Sequence, residues 1–337
     1  MKKMFRFLIP VLSAAIIVGS PNTVSAAQQG KKTVRLGGQA FGVKFFNDGV
    51  MVIELEKFYS NGRYVCPAQD GGLMVNDVVK KINGTDIKTN EDVQLATLNC
   101  GGNPIKFTIE RKGKEFVKTV IPQKNTVGVY LLGAWVRDSC AGIGTVTYYD
   151  DNQHYFAALG HGICDTDTKA LLPLGSAEVV NAQISSITKS SAGKAGSLNG
   201  YFSENTLGQL TKNTDCGVFG TLNDKNAAKG VTLELAENGD IKLGKAQMYT
   251  TIDDDVGCYE VEITKICNHD SESNENFVIK ITDDELLQKC GGIVQGMSGS
   301  PIVQDGKLAG AVTHVFLNNT DEGYGVTAQN MVSKYQQ

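Results

Sequence analysis

Basic charge is not in surplus here: 32 lysines and arginines stand against 36 aspartates and glutamates, a formal net charge of −4. That balance lacks the electrostatic footprint of a nucleic-acid binder, so no nucleic-acid partner is expected. No Cys-x-x-Cys pair occurs among the eight cysteines, and His161 with Cys164 offers two ligands that no second pair answers. A metal site is therefore not expected. Internal repeats and low-complexity tracts are missing, which excludes solenoids and disordered arrays, and helical periodicity is scarce, 283–289 being its clearest instance. What is present is globular: 337 residues, 41% hydrophobic and 20% charged, enough for two domains and a substantial core.

The N-terminus differs in kind. Lys2, Lys3 and Arg6 precede the apolar run from Phe7 to Val18, and small residues cluster near Ala26. A basic head, a short apolar stretch and small residues predict a signal peptide or an uncleaved anchor over residues 1–27, and hence an exported, extracytoplasmic protein. In an exported chain the cysteines invite a disulfide reading, but their spacing is scattered. Mostly free, buried thiols are expected, with Cys258 and Cys267, flanking a possible hairpin, the best pair if one forms.

A polar linker over 28–33 leads into glycine-rich turns and short apolar runs. Asn47-Asp48-Gly49 reads as a turn between strands, Thr89 with Asp92 as a helix cap, and Ile105 to Glu110 with Phe116 to Ile121 as a hairpin. The run Pro67-Ala68-x-x-Gly71-Gly72-Leu73-x-x-x-Asp77-Val78-Val79-x-x-Ile82-Asn83-Gly84 resembles a PDZ domain, taken here as residues 34–123. That resemblance implies capture of a peptide or C-terminal ligand, with Gly37, Gly38, Phe41 and Gly42 in the turn that offers backbone amides to a carboxylate. Past the linker around Pro122 to Asn125, residues 124–337 carry many short β-like runs divided by glycine, which predicts a sandwich or barrel.

Gly296-Met297-Ser298-Gly299-Ser300-Pro301 is the stretch with the strongest chemical character. Glycines on either side let a loop bend so that a serine hydroxyl is exposed while the Gly296 and Ser298 amides converge as an oxyanion hole. A serine needs a base. Of the histidines at 154, 161, 269 and 314, only His161 ends an apolar strand between glycines, as Leu159-Gly160-His161-Gly162. His154 and His269 read as solvent-facing, and His314 lies on the strand after the serine, where it would line a cleft. Two acids compete to orient the imidazole. Asp215 stands at the mouth of an apolar strand, whereas Asp283 lies shortly before the serine and is equally suited to capping the following helix. The order His, Asp, Ser resembles chymotrypsin-like double barrels.

These motifs, with Ala311-Val312-Thr313-His314-Val315-Phe316 and Gly323-Tyr324-Gly325-Val326, resemble the stage IV sporulation protein B peptidases of spore-forming Firmicutes. The resemblance implies a mainly β chain: a small PDZ-like α+β domain followed by a chymotrypsin-like double β-barrel serine peptidase. It implies His161 and Ser298 as catalytic residues and Asp283 as the acid, against the local preference for Asp215. It also implies a serine endopeptidase without cofactors, which processes itself and cleaves a membrane-associated regulator between forespore and mother cell, so that a late sigma factor is activated. The alternatives are an envelope quality-control PDZ protease, which usually carries its PDZ after the peptidase, and a non-catalytic PDZ scaffold. In a chymotrypsin-like fold the floor of the primary pocket would fall at Gly292, whose neighbours bring no carboxylate, so a small or apolar specificity is expected. No signal for an oligomeric state is present.

Overall fold

Phe41, Val43 and Phe45 alternate with the less buried Lys44 and Phe46, the period of a strand with one face in a core. That strand is where the architecture begins. The computed structural model describes residues 32–150, 152, 154–224, 230–267 and 274–337. The expected leader over 1–27 and His269 lie outside them. No helix among the described residues is long and apolar enough to cross a membrane.

Strands β1 (Thr33–Leu36) and β2 (Ala40–Leu55) open the described chain. An α+β module follows, with β3 (Phe58–Ser60), β4 (Arg63–Val65), α1 (Pro67–Asp70), β5 (Val78–Ile82), β6 (Thr85–Asp86), α2 (Asn90–Leu98), β7 (Ile105–Arg111), β8 (Lys114–Val120), β9 (Gln123–Lys124) and β10 (Tyr130–Leu131). Then come β11 (Ala134–Asp150), β12 (Tyr155–Ala158), β13 (Leu174–Thr188), β14 (Gly196–Thr214) and β15 (Gly217–Leu222). Pairings run from β2 through β11, β12, β15, β14 and β13 back to β2, closing a ring of six antiparallel strands, barrel one. Phe45, for example, sits between Cys140 on one side and Ala177 on the other.

After β16 (Thr232–Leu235) the chain builds a second ring from β17 (Gly244–Thr251), β18 (Val256–Ile266), β19 (Phe277–Ile281), then α3 (Asp284–Cys290), β20 (Val294–Gln295), β21 (Pro301–Gln304), β22 (Lys307–Phe316), β23 (Asn319–Thr327) and α4 (Ala328–Gln336). Here β17, β18, β19, β23, β22 and β21 close in the same order as barrel one, which makes barrel two a repeat of topology although the sequence has no repeat. Each ring has its own core: Phe41, Phe45, Phe156 and Val218 in the first, Met248, Ile263, Phe277 and Ile302 in the second. Closing both sheets on themselves removes their free edges.

The domain division differs from expectation. Strand pairing crosses the 123/124 boundary, because β2 and β11 each belong to two bodies. Ala40–Asn47 pairs in barrel one, while Val50 and Met51 pair with Val79 and Val78 of the module, and Ala134–Arg137 of β11 pairs with Met51–Leu55. The module is thus inserted into barrel one rather than strung ahead of it. Gly49 is a kink within β2, not the end of a turn between strands: it has φ +109°, and a Cβ there would meet the Val79 carbonyl at 2.5 Å.

The peptide-capture assignment of Gly37, Gly38, Phe41 and Gly42 is corrected by the same observation. The Gly37 amide donates to Thr147 O (2.9 Å) and that of Gly38 to Val146 O (2.7 Å), so neither is free for a carboxylate. Phe41 is buried edge-on to Phe156 in barrel one, and a Cβ on Gly42 would meet Phe202 at 2.5 Å. The module keeps its own core, with Val52, Ile82, Val93, Phe107 and Ile109, and the Thr89 capping box closes on Asp92 as expected. Its turn before β5 is pinned by a buried Asp77, whose oxygens take both the Nε (2.6 Å) and Nη2 (2.7 Å) of Arg111.

No disulfide joins any of the eight cysteines, and only Cys66, Cys216 and Cys290 are buried. Cys258 and Cys267 do not flank a hairpin: Cys258 lies near the start of β18 and Cys267 just beyond its end. A strand rising about 3.3 Å per residue holds them roughly 30 Å apart, beyond the reach of a disulfide.

Candidate active site

The connection from the third to the fourth strand carries the candidate chemistry in both barrels. In barrel one it runs from β12 to β13 and begins with Leu159 (φ 66°), Gly160 (φ 68°) and His161. A Cβ on Gly160 would sit 3.0 Å from Thr313 Cγ2 and 3.1 Å from Val312 O, so this turn is pressed against β22 of barrel two. The Asn213 side chain staples the remainder of the connection. Its Oδ1 accepts from Ile163 N (2.8 Å), and its Nδ2 donates to Ile163 O (2.9 Å) and Leu172 O (3.0 Å). Further along, a buried Asp165 accepts from the Thr168 and Asp167 amides and from Arg137 of β11. Burial pushes its carboxyl pKa up, but those amides and Arg137 prevail and hold it below the ordinary value.

In barrel two the connection runs from β19 to β21 through α3. Asp283 caps that helix: its Oδ1 accepts from Leu286 N (2.9 Å) and its Oδ2 from Glu260 N (3.2 Å). Gly291 at φ 69° ends the helix. The chain then enters the serine loop, where Met297 N bonds Val294 O (3.1 Å), Gly299 N bonds Val312 O (2.8 Å) and Ser300 N bonds Met297 O (2.9 Å). Among the described residues the Ser298 amide has no backbone acceptor.

Barrel one grips this loop directly. Thr145 N donates to Ser298 O (2.9 Å), Thr145 Oγ1 to Gly296 O (2.8 Å) and Thr147 Oγ1 to Gly299 O (2.8 Å). Gly299 has φ +93°, and a Cβ there would lie 2.0 Å from Thr145 O and 2.4 Å from Leu159 N. No other residue fits that seam.

Ser298 and His161 thus stand on the two sides of one seam, and each rests on a main-chain carbonyl. Ser298 Oγ donates to Thr313 O (2.8 Å). His161 Nδ1 lies 2.8 Å from Gly162 O, and because a carbonyl only accepts, Nδ1 carries the proton and Nε2 keeps its lone pair. The His314 ring lies 4.8 Å from the His161 ring, tilted by 32°. Burial, reinforced by His314 and opposed by the Gly162 carbonyl, pushes the His161 pKa down to about 4, so the imidazole is neutral near pH 7. His314 is also shifted down by desolvation, with Glu275 pulling the other way.

Neither candidate acid touches His161. Asp283 holds the helix cap, and Asp215 is exposed in the turn between β14 and β15, its carbonyl accepting from Asn274 Nδ2 (2.9 Å). His154 is exposed, as expected. Gly292 lies under Thr320, whose carbonyl oxygen a Cβ would meet at 2.2 Å, with Ile293 and Val294 buried beside it. Sequence reasoning missed Thr145, Thr147 and Asn213. Threonines alternating through an apolar strand were the only signal for the first two, and Asn213 had none. No cluster of three or more metal-ligating side chains occurs among the described residues.

Comparison with known proteins adds a short match and a long one. The chain is 36% identical over 67 residues to a putative zinc metalloprotease, CPE1693, of Clostridium perfringens, covering 20% of each chain, and 39% identical over 67 residues to the probable protease eep of Enterococcus faecalis, covering 20% of this chain and 16% of that one. It thus spans about a fifth of the length of these curated relatives. Among solved structures it is similar to the HtrA-type protease AlgW with a decapeptide (13% identity, TM-score 0.35, 63% of this chain and 57% of that one) and to the Rv3671c protease in an inactive form (13%, TM-score 0.34, 58% and 83%). The SpoIVB peptidase S55 family model matches residues 128–332, which hold His161, Ser298 and all of barrel two. The chain belongs to that family.

Proposed function

We propose that this is the sporulation-signalling protease of its family: an exported endopeptidase that processes itself and cleaves a membrane-associated regulator in the space between forespore and mother cell. In this reading Ser298 is the nucleophile and His161 the general base. The carrying observation is the seam, where a serine loop of barrel two and a histidine turn of barrel one are held together by Thr145, Gly299 and the Gly160–Thr313 contact. Attack requires the Ser298 hydroxyl to leave Thr313 O and donate to His161 Nε2, the nitrogen that carries no proton. The Ser298 amide, with that of Gly296, would then hold the oxyanion.

The inserted module supports a PDZ-type role through its Asp77 motif and capped α2. Its ligand site must lie away from 37–42, whose amides are engaged. Buried Ile293 and Val294 beside Gly292 support a small or apolar residue before the cut. A fluorophosphonate probe tests the central reading: it should label Ser298 in the full chain and fail on Ser298→Ala, and labelling of His161→Ala should fall by at least a hundredfold. Labelling unchanged in either variant would sink it.

A further inference from the structure

The catalytic reading leaves one place unfilled, since something must fix the imidazole tautomer and support the charge it gains. An aspartate usually does so. Here the imidazole Nδ1–H donates to the carbonyl of the Gly162–Ile163 peptide group, and the N–H of that same peptide donates to Asn213 Oδ1. The Asn213 carboxamide is fixed in turn, both by its two donations to Ile163 O and Leu172 O and by its place on β14. The result is a continuous line of hydrogen bonds from Asn213 through one peptide plane to His161. Each link polarises the next in the same sense, as in other chains of aligned donors and acceptors. Gly162 has no room for a side chain: a Cβ would meet Leu171 at 2.2 Å and Thr214 O at 2.8 Å, so the peptide plane cannot drift.

Resting on the Ser298–His161 reading, we propose that the Gly162–Ile163 peptide group, locked by Asn213, is the orienting member of this site, and that Asp283 serves it only by capping α3 ahead of the serine loop. Asn213 is then a positioning residue that acts through a peptide bond. The charged or titratable neighbours agree with this. Among the described residues His314 is the one ionisable group that bears on His161, Glu275 bears on His314, and the Asp215 charge is felt at Cys164. Asp283 has both oxygens on backbone amides; asparagine keeps the cap on Leu286 N and gives up only the longer bond from Glu260 N.

The test is the rate of fluorophosphonate labelling of the full chain as a function of pH. Asp283→Asn and Asp215→Asn should each stay within about tenfold of wild type, because a cap and an exposed turn tolerate the amide, whereas an orienting aspartate replaced by asparagine loses about 10⁴. Asn213→Ala should fall by about a hundredfold. Asn213→Asp keeps the acceptor for Ile163 N at the cost of the donations to Ile163 O and Leu172 O, so its unfolding temperature is measured beside its labelling rate. Its anionic oxygen should stabilise the imidazolium through the same peptide and move the acid limb of the profile to higher pH. A thousandfold loss in Asp283→Asn or Asp215→Asn with unchanged unfolding temperature would overturn the proposal. So would an Asn213→Asp profile identical to wild type. Labelling of Ser298→Ala would instead overturn the catalytic reading on which the proposal rests.

Discussion

Barrel one and barrel two share a strand order and place their candidate groups on the same connection, yet they hold those connections by different means. Barrel one uses side chains from elsewhere in the sequence: Asn213 staples both ends of the histidine connection, and Arg137 clamps its middle through Asp165. Barrel two uses a helix, its cap and glycine backbone, with Gly291, Gly292, Gly296 and Gly299 all at positive φ. The difference teaches that a nucleophile loop needs backbone amides free to converge, whereas a base needs a ring held from the side.

Breaking the backbone device should cost most. Gly299→Ala places a methyl 2.0 Å from Thr145 O in a left-handed conformation, and a loss of about 4 kcal/mol or more is expected in denaturant unfolding, together with loss of labelling at Ser298. Breaking the side-chain device should cost less. Arg137→Ala leaves Asp165 buried without its cation, and about 2–3 kcal/mol is expected, below the figure for a fully buried pair because Arg137 reaches solvent. A loss no larger than that of a surface lysine variant would show that the clamp is idle.

The seam should also respond to pH through barrel one, which contributes the half-buried His161 imidazole. With the His161 pKa lowered from 6.5 to about 4, the folded chain binds fewer protons than the unfolded one between those values. Stability is therefore complete above pH 6.5 and is lost as pH falls towards 4. The unfolding temperature of the wild type should drop more between pH 7 and 4.5 than that of His161→Gln; parallel curves would refute the assignment. The smallest effect is expected at the seam itself, where Thr147→Val removes one hydrogen bond at nearly constant volume, for about 1 kcal/mol in unfolding and less than tenfold in labelling rate.

This contrast also explains what was legible in the sequence. Devices written in consecutive residues could be read: the Gly-x-Ser-Gly loop, the Thr89 capping box, the Asp283 cap and the β7–β8 hairpin. Period-two alternation in 40–46 marks a strand but says nothing of its partners, so Phe41 and Gly42 were assigned to the module when their sheet neighbours are in barrel one. The Gly49 kink resembles a turn because both use positive φ. Helix α4 went unseen although Ala328, Met331, Val332 and Tyr335 fall at helical spacing and pack on one core, because nine residues are too few for that period to stand out; the Thr327 cap fixes its start. Asn213 was invisible for the plainest reason. Its partners are some 40 and 50 residues away, and nothing in the local sequence distinguishes it.

The insertion has a mechanical side. A domain on a flexible tether can swivel, but here two strands of 16 and 17 residues run unbroken from module to barrel, a ribbon on the order of 50 Å long. Such a ribbon resists stretching and shear, since either would break registered hydrogen bonds along its length. A small bulge falls between Trp135 and Val136, but the larger break is the joint where Gly49 kinks β2 and the pairing of β11 skips between Arg137 and Ser139. Load applied to the module must therefore arrive at barrel one as bending or torsion about that joint, and the first side chain it meets is Arg137, the clamp on the histidine connection.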